Sequence, residues 1–305
     1  MDHRKQSVQS YFDNMGGKYG NHYIATDSLA SYPSGPMREE KALSLIIPGR
    51  SGGTVLDAGC GSGHFACELA SVGFEVKGID ISTEMITDAK RYAATKGLGN
   101  DIVFTTGDIE NLDIPDQSID VVTALGVIEY LSSDDKMLSE LRRIIRPNGL
   151  VVIAFRNRLF NLFSSNQYTM NEFVSGNPAE LLSDYLSEVE SLSIEDFEDY
   201  GTALSRLIKE NGRVEVKHQE AKPPSTDNLP VELRQHTPRE VRDQCEKFGL
   251  FSHAIRYFHF HPFPPIFQDC NPEFFNGLGL AMETLCDTPI GASMASGFVG
   301  AFKPI

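Results

Sequence analysis

Between residues 54 and 155, five short apolar runs alternate with helix-patterned stretches, and every connection between them is short. That alternation demands a parallel sheet, because parallel neighbours are joined by crossovers and crossovers carry helices. Strands are expected at 54–58 (TVLDA), 75–80 (EVKGID), 101–106 (DIVFTT), 119–125 (IDVVTAL) and 149–155 (GLVVIAF). Helices are expected over 63–71, 83–96 and 132–145, with RPNG at 146–149 turning the chain into the fifth strand.

Past residue 156 the alternation stops and then resumes. HTPRE at 236–240 opens a helix, with Thr237 as N-cap, Pro238 in the first turn and Glu240 completing a capping box. HAIRYFHFHP reads as a sixth strand, 271–286 as one further amphipathic helix and SGFVGAFKP as a seventh strand. The expected fold is therefore α/β: a Rossmann-like, doubly wound, seven-stranded, mostly parallel sheet with a helical insertion, or lid, after strand 5. Four segments follow. Residues 1–44 form an N-terminal helical cover, 45–156 the ligand-binding core, 157–230 the insertion, and 231–305 the completion of the core. Between residues 178 and 200 the insertion holds eight Asp or Glu and no Lys or Arg, the pattern of a solvated helix face. It closes in a turn-rich linker, KPPSTDNLP at 222–230.

Charge narrows the partners. A formal charge of −15 argues against a nucleic-acid backbone, whose binding rests on clustered Lys and Arg. No apolar run has the length of a membrane span, and the first residues, MDHRKQSVQS, lack a signal peptide's apolar core. A cytoplasmic protein acting on a small molecule is the expectation, with oligomeric state left open. The five cysteines, Cys60, Cys67, Cys245, Cys270 and Cys286, have no CxxC spacing, so free thiols are expected rather than disulfides or zinc.

Residues 55–63, VLDAGCGSG, lie where strand 1 meets its helix. A dinucleotide turn needs GxGxxG, but His64 stands at the third glycine position, and no GxxxxGK run offers a P-loop. Asp57 beside the turn would repel a pyrophosphate and suits a cationic or neutral group. Asp80 ends strand 2, where a carboxylate accepts two ribose hydroxyls. Asp108 and Ile109 follow strand 3, offering an acceptor for an amino proton and an apolar surface for a ring. Leu125 and Gly126 end strand 4, with Gly126 leaving room for a ligand. Three carboxylates gathered at one sheet edge are costly without partners, which again points to a ligand. These edges describe a pocket for a nucleoside with a charged amino-acid tail and no phosphate: S-adenosyl-L-methionine (SAM).

The pattern resembles the class I SAM-dependent methyltransferases, in particular the UbiG/UbiE-like group of small-molecule enzymes, strongly over about 45–156 and weakly over about 231–305. The resemblance implies that Gly59, Gly61 and Gly63 shape the turn under the methionine part, with Asp57 near its amino group. Asp80 would hold the ribose hydroxyls and Ile81 the adenine face. Asp108 and Ile109 would meet the adenine amino group and ring, and Leu125 and Gly126 the methionine side.

Methyl transfer requires an aligned nucleophile, a dry site and, for a hydroxyl acceptor, a base. The N-terminal aromatics Tyr11, Phe12, Tyr19 and Tyr23 are candidates to cover the cofactor, with Tyr11 and Tyr19 placed toward substrate. Glu129 and Tyr130 after strand 4, and Arg156 and Arg158 after strand 5, are further substrate candidates, the arginines suited to an acidic group. Strand alternation places Tyr257, His259 and His261 on one face, which makes His259 or His261 the candidate general base. No carboxylate or cysteine accompanies that histidine pair, so no metal is expected. His64 reads as a surface residue at a helix start. The expectation is O-methylation of a small molecule such as a sugar, quinone-like compound or natural product. N-methylation, SAM binding without transfer, and a nicotinamide-dependent oxidoreductase are the alternatives.

Overall fold

The computed structural model describes residues 3–17, 31–48, 52–210 and 231–305. Tyr19, Tyr23 and the 222–230 linker lie outside the described residues. Seven strands form one sheet: β1 Thr54–Ala58, β2 Glu75–Asp80, β3 Ile102–Thr106, β4 Ile119–Ala124, β5 Ile145–Arg156, β6 Leu250–Phe260 and β7 Ala295–Pro304. Their order is β3-β2-β1-β4-β5-β7-β6. The first five pair in parallel, while β7 runs antiparallel to both β5 and β6.

Period-two alternation sorts the side chains onto two buried faces. Leu56, Ala58, Val151, Ile153 and Phe155 belong to one core. Val55, Val76, Leu150, Val152 and Ala154 belong to the other. The helices are α1 His3–Met15, α2 Ser34–Ile46, α3 His64–Ser71, α4 Thr83–Thr95 and α5 Asp135–Ile144. The insertion adds α6 Gln167–Val174, α7 Pro178–Glu188 and α8 Ile194–Glu210, and the chain continues with α9 Pro238–Lys247 and α10 Pro272–Ala281. Met137, Leu138, Leu141 and Ile144 make one stripe on α5 and cover the first core together with Val241 and Cys245 of α9. Helices α2, α3 and α4 cover the second.

Three local expectations change. The 146–149 turn is a bulge within β5, between the Ile119–Ile145 and Val121–Leu150 pairings, and α5 begins only at Asp135. The 271–286 stretch breaks after Ala281 into a separate 3₁₀ turn, Glu283–Asp287. The acidic run of the insertion is not wholly solvated: Asp184 is buried and accepts from Thr237 Oγ1 at 2.6 Å and Arg239 at 3.3 Å, while Glu188 pairs with Arg242. The run thus docks the insertion on α9. The capping box forms as expected, Glu240 N donating to Thr237 Oγ1 at 3.1 Å and Thr237 N to Glu240 Oε2 at 2.7 Å. All five cysteines are free thiols, and no helix of the described residues is long and apolar enough to cross a membrane.

Candidate active site

The carboxyl ends of the parallel strands open onto a cleft of about 990 Å³. Asp57, Gly59, Gly61, Asp80, Ile81, Asp108, Ile109, Leu125 and Gly126 all line it. Gly59 has φ +76°, and a Cβ there would lie 2.2 Å from Val127 Cγ2, so only glycine passes. Gly59 N and Cys60 N both donate to Ile79 O, at 2.7 and 3.0 Å, tying the turn to β2. Asp80 completes the tie: its Oδ2 accepts from Gly61 N and its Oδ1 from Ser82 N, each at 2.9 Å. Gly63 does not line the cleft. It is the N-cap of α3, packed so that a Cβ would meet Ala89 Cβ at 2.9 Å.

Each expected carboxylate already has a partner within the chain, so their clustering alone is not a ligand signal. Asp57 Oδ1 accepts from Thr123 Oγ1 at 2.8 Å, and Asp108 Oδ2 from Lys5 Nζ at 2.7 Å. What fits the cofactor is the concave turn, kept open by its glycines, and the charge beside it. Burial pushes the Asp57 carboxyl up to about 6, against Thr123 and Arg38, and pushes Glu39, on the same cleft, up to about 8. Two buried carboxyls beside one turn suit an ammonium group.

Helix α1 closes the cleft with Lys5, Val8 and Phe12. It is fastened by Arg4 Nε donating to Tyr130 O at 2.8 Å and by Ser82 Oγ donating to Asp13 at 2.6 Å. Phe12 meets the Tyr130 ring edge-on, centroids 5.3 Å apart, and Tyr130 lines this first cleft. Tyr11 packs on Phe12 and lines neither this cleft nor the next.

A second cleft, of about 1030 Å³, shares Arg38 and Gly126 with the first. The ends of β5, β6 and β7 and the start of the insertion build its walls, which include Glu129, Arg156, Phe160, Tyr168, Phe258, His259, His261 and Ser296. Arg156 is here. Arg158 is not: it is held by Glu172 at 2.9 Å and Glu240 at 2.6 Å and braces the insertion.

The histidines reach this cleft by a break in the strand rather than by alternation. His259 has φ +64°, a left-handed backbone that L side chains seldom adopt. Glu283 holds it there, accepting from His259 N at 3.0 Å and Phe260 N at 2.9 Å while Tyr32 donates its hydroxyl to the same carboxylate. The Tyr32 ring stacks on His259, centroids 4.0 Å apart. Tyr257 consequently leaves the expected face, reaching Glu188 and Phe298 instead, and Phe258 joins the histidines. His259 Nδ1 lies 3.0 Å from Ser296 Oγ, between the Phe258–Gly297 and Phe260–Ala295 pairings of β6 and β7. His261 is buried between Phe160 and His259, with neither ring nitrogen hydrogen-bonded. Burial lowers both histidines, His261 to about 3 and His259 well below the ordinary value, the latter also through His261 and Arg156. Both rings stand neutral near pH 7. Among the described residues no group of three His, Cys, Asp or Glu could hold a metal ion.

Sequence reading missed Lys5, Arg38, Glu39 and Ser296. Pairing the HFH segment with SGF as antiparallel neighbours would have found Ser296; the other three carry no local signal.

Comparison with known proteins agrees with this geometry. A family model described as a methyltransferase domain matches residues 50–263, the greater part of the chain. A malonyl-[acyl-carrier protein] O-methyltransferase of Pectobacterium atrosepticum is 37% identical over 113 residues, 37% of this chain and 42% of that protein. A probable SAM-dependent methyltransferase of Mycolicibacterium smegmatis is 29% identical over 236 residues, 72% of this chain and 88% of that protein. The chain spans about half, or less, of the length of most curated relatives it matches. In fold it is similar to the SAH-bound magnesium protoporphyrin IX methyltransferase of Synechocystis, with a TM-score of 0.57 at 16% identity, covering 99% of this chain and 100% of that one. The chain belongs to the class I SAM-dependent methyltransferases.

Proposed function

We propose that the protein transfers a methyl group from SAM to a hydroxyl of a small molecule seated in the second cleft. The observation that carries this reading is the join of the two clefts at Arg38 and Gly126, with a neutral, oriented histidine on the far side. Bound SAM supplies an electrophilic methyl on a sulfonium. Asp57 and Glu39 suit its ammonium end, and Asp80 its ribose, since the Asp80 carboxylate keeps acceptor capacity beyond its backbone donors. Asp108 and Ile109 suit the adenine, and Phe12 and Val8 exclude water over it.

On the acceptor side the base is His259. With Nδ1–H donating to Ser296 Oγ, Nε2 carries the lone pair and takes the hydroxyl proton as the new bond to carbon forms. His261 has no such orienting partner and serves as packing behind it.

Incubation with methyl-deuterated SAM and a small-molecule extract of the source cell, followed by mass spectrometry, tests the reading. A metabolite that gains the labelled methyl on oxygen supports it, and a label on nitrogen redirects it to N-methylation. SAM binding with no labelled product and no S-adenosylhomocysteine (SAH) overturns transfer in favour of a binding role.

A further inference from the structure

The polar groups of the acceptor cleft define the kind of molecule it takes, given the reading of that cleft above. Arg156, at the end of β5, is half-buried; its Nε is buried with no hydrogen-bond partner, and it forms no ion pair with a described residue. Other arginines nearby are matched: Arg158 with Glu172 and Glu240, Arg234 with Asp134. The chain has 42 acidic residues against 27 basic ones, so an arginine with a purely structural role has ample choice of partner. A guanidinium whose buried Nε has no partner is completed by an anion that can reach it.

Its surroundings add shape. Arg156 pairs with Gly297 across β5 and β7, and Gly297 with Phe258 across β7 and β6, so guanidinium and aromatic ring stand in one row with no side chain between them. Two further buried groups on the same wall lack partners: the Glu129 Oε2 atom and both nitrogens of His261, which is 4% exposed. The cleft wall therefore carries a guanidinium outside any ion pair, beside a carboxylate oxygen and an imidazole that also lack partners.

We propose that the acceptor is a small hydroxy acid, its carboxylate gripped by Arg156 and its hydroxyl presented to His259. The planar guanidinium fork matches the two oxygens of a carboxylate, a fit that a neutral amide or alcohol does not reproduce. The hydroxyl donates its one proton to His259 Nε2, and the carboxylate stays unmethylated as the anchor.

The test measures binding, not turnover, in the presence of saturating SAH. The probes are 3- and 4-hydroxybenzoate and 3-hydroxybutyrate, each against its own amide. At least one acid is expected to bind about tenfold more tightly than its amide, the size of one charge-assisted hydrogen bond. Arg156→Gln removes that preference and Arg156→Lys keeps part of it, while SAH affinity stays unchanged in both. If no acid outbinds its amide, or if the preference survives in Arg156→Gln, the proposal is overturned. If SAH itself fails to bind the wild-type protein, the methyltransferase reading falls and takes this proposal with it. SAH binding with no acid preference sinks this proposal alone.

Discussion

Lys5 Nζ lies 2.7 Å from Asp108 Oδ2 and also pairs with Glu110, so the first turn of α1 is pinned to the sheet edge where the cofactor's adenine is expected. Lys5→Met leaves two carboxylates unmatched and frees the helix that covers the cleft. Hydrogen exchange of residues 3–15 is expected to rise, and SAH to dissociate roughly tenfold faster, one charge-assisted contact's worth. Global stability should fall by only about 1 kcal/mol, since the pair is partly solvated. Unchanged exchange in α1 would show that other contacts hold it.

The lining of the first cleft was legible because its signals are local. Asp57, Asp80 and Asp108 each stand within two residues of a strand's carboxyl end, and the period of strand and helix places strand ends together without knowledge of any long-range contact. The second cleft was not. His259 meets Ser296 only through the β6–β7 pairing, and its φ of +64° is imposed by Glu283 from a 3₁₀ turn that the sequence reads as continuous helix. Alternation along YFHFHP therefore gives the wrong face for Tyr257. Arg156 ends strand 5 and Arg158 follows two residues later, yet they meet opposite fates, decided by Glu172 and Glu240 from distant elements.

The glycine turn makes a separate prediction. Gly59→Ala adds a Cβ 2.2 Å from Val127 Cγ2 at a φ of +76°. The clash and the left-handed backbone together should cost about 2–4 kcal/mol of stability, and SAH affinity should drop more than about tenfold as the turn shifts. Adding Val127→Ala relieves the clash but not the backbone strain, so only part of the loss should return in denaturant titrations. Full recovery would mean that φ is immaterial.

Cofactor binding should be linked to pH. Burial holds Glu39 at about 8 and Asp57 at about 6 in the free protein, so both are partly protonated at neutral pH. A bound ammonium favours their ionised forms, so SAH affinity is expected to rise from pH 5.5 to 8.5 with proton release on binding, measurable by calorimetry in buffers of different ionisation enthalpy. The free protein behaves oppositely. The raised Glu39 carboxyl stabilises the fold below its unfolded value, near 4.5, and that contribution is lost as pH climbs through about 8. Glu39→Gln should remove this loss, gaining roughly 2–4 kcal/mol at pH 8 relative to wild type. A pH-independent SAH affinity would contradict the assignment of both carboxyls.

The last prediction concerns how His259 is held. Burial, His261 and Arg156 keep its ring neutral, so the pH–rate profile should stay flat through neutrality and fall only on the acid side. His259→Ala removes the proton acceptor and should lower kcat by about 10²–10⁴ with SAH affinity unchanged. Ser296→Ala leaves the ring but frees its tautomer, and a smaller loss is expected. Glu283→Gln weakens the clamp on the left-handed backbone, because an amide cannot accept at both ends from His259 N and Phe260 N. The ring then swings from its stack on Tyr32, and kcat should drop about 10- to 100-fold while KM for the acceptor changes little, as expected when alignment rather than binding is lost. Tyr32→Phe, which keeps the ring but not its hydrogen bond to Glu283, should fall between Glu283→Gln and wild type. If Glu283→Gln raises KM and leaves kcat intact, the carboxylate serves substrate binding and not the posture of His259.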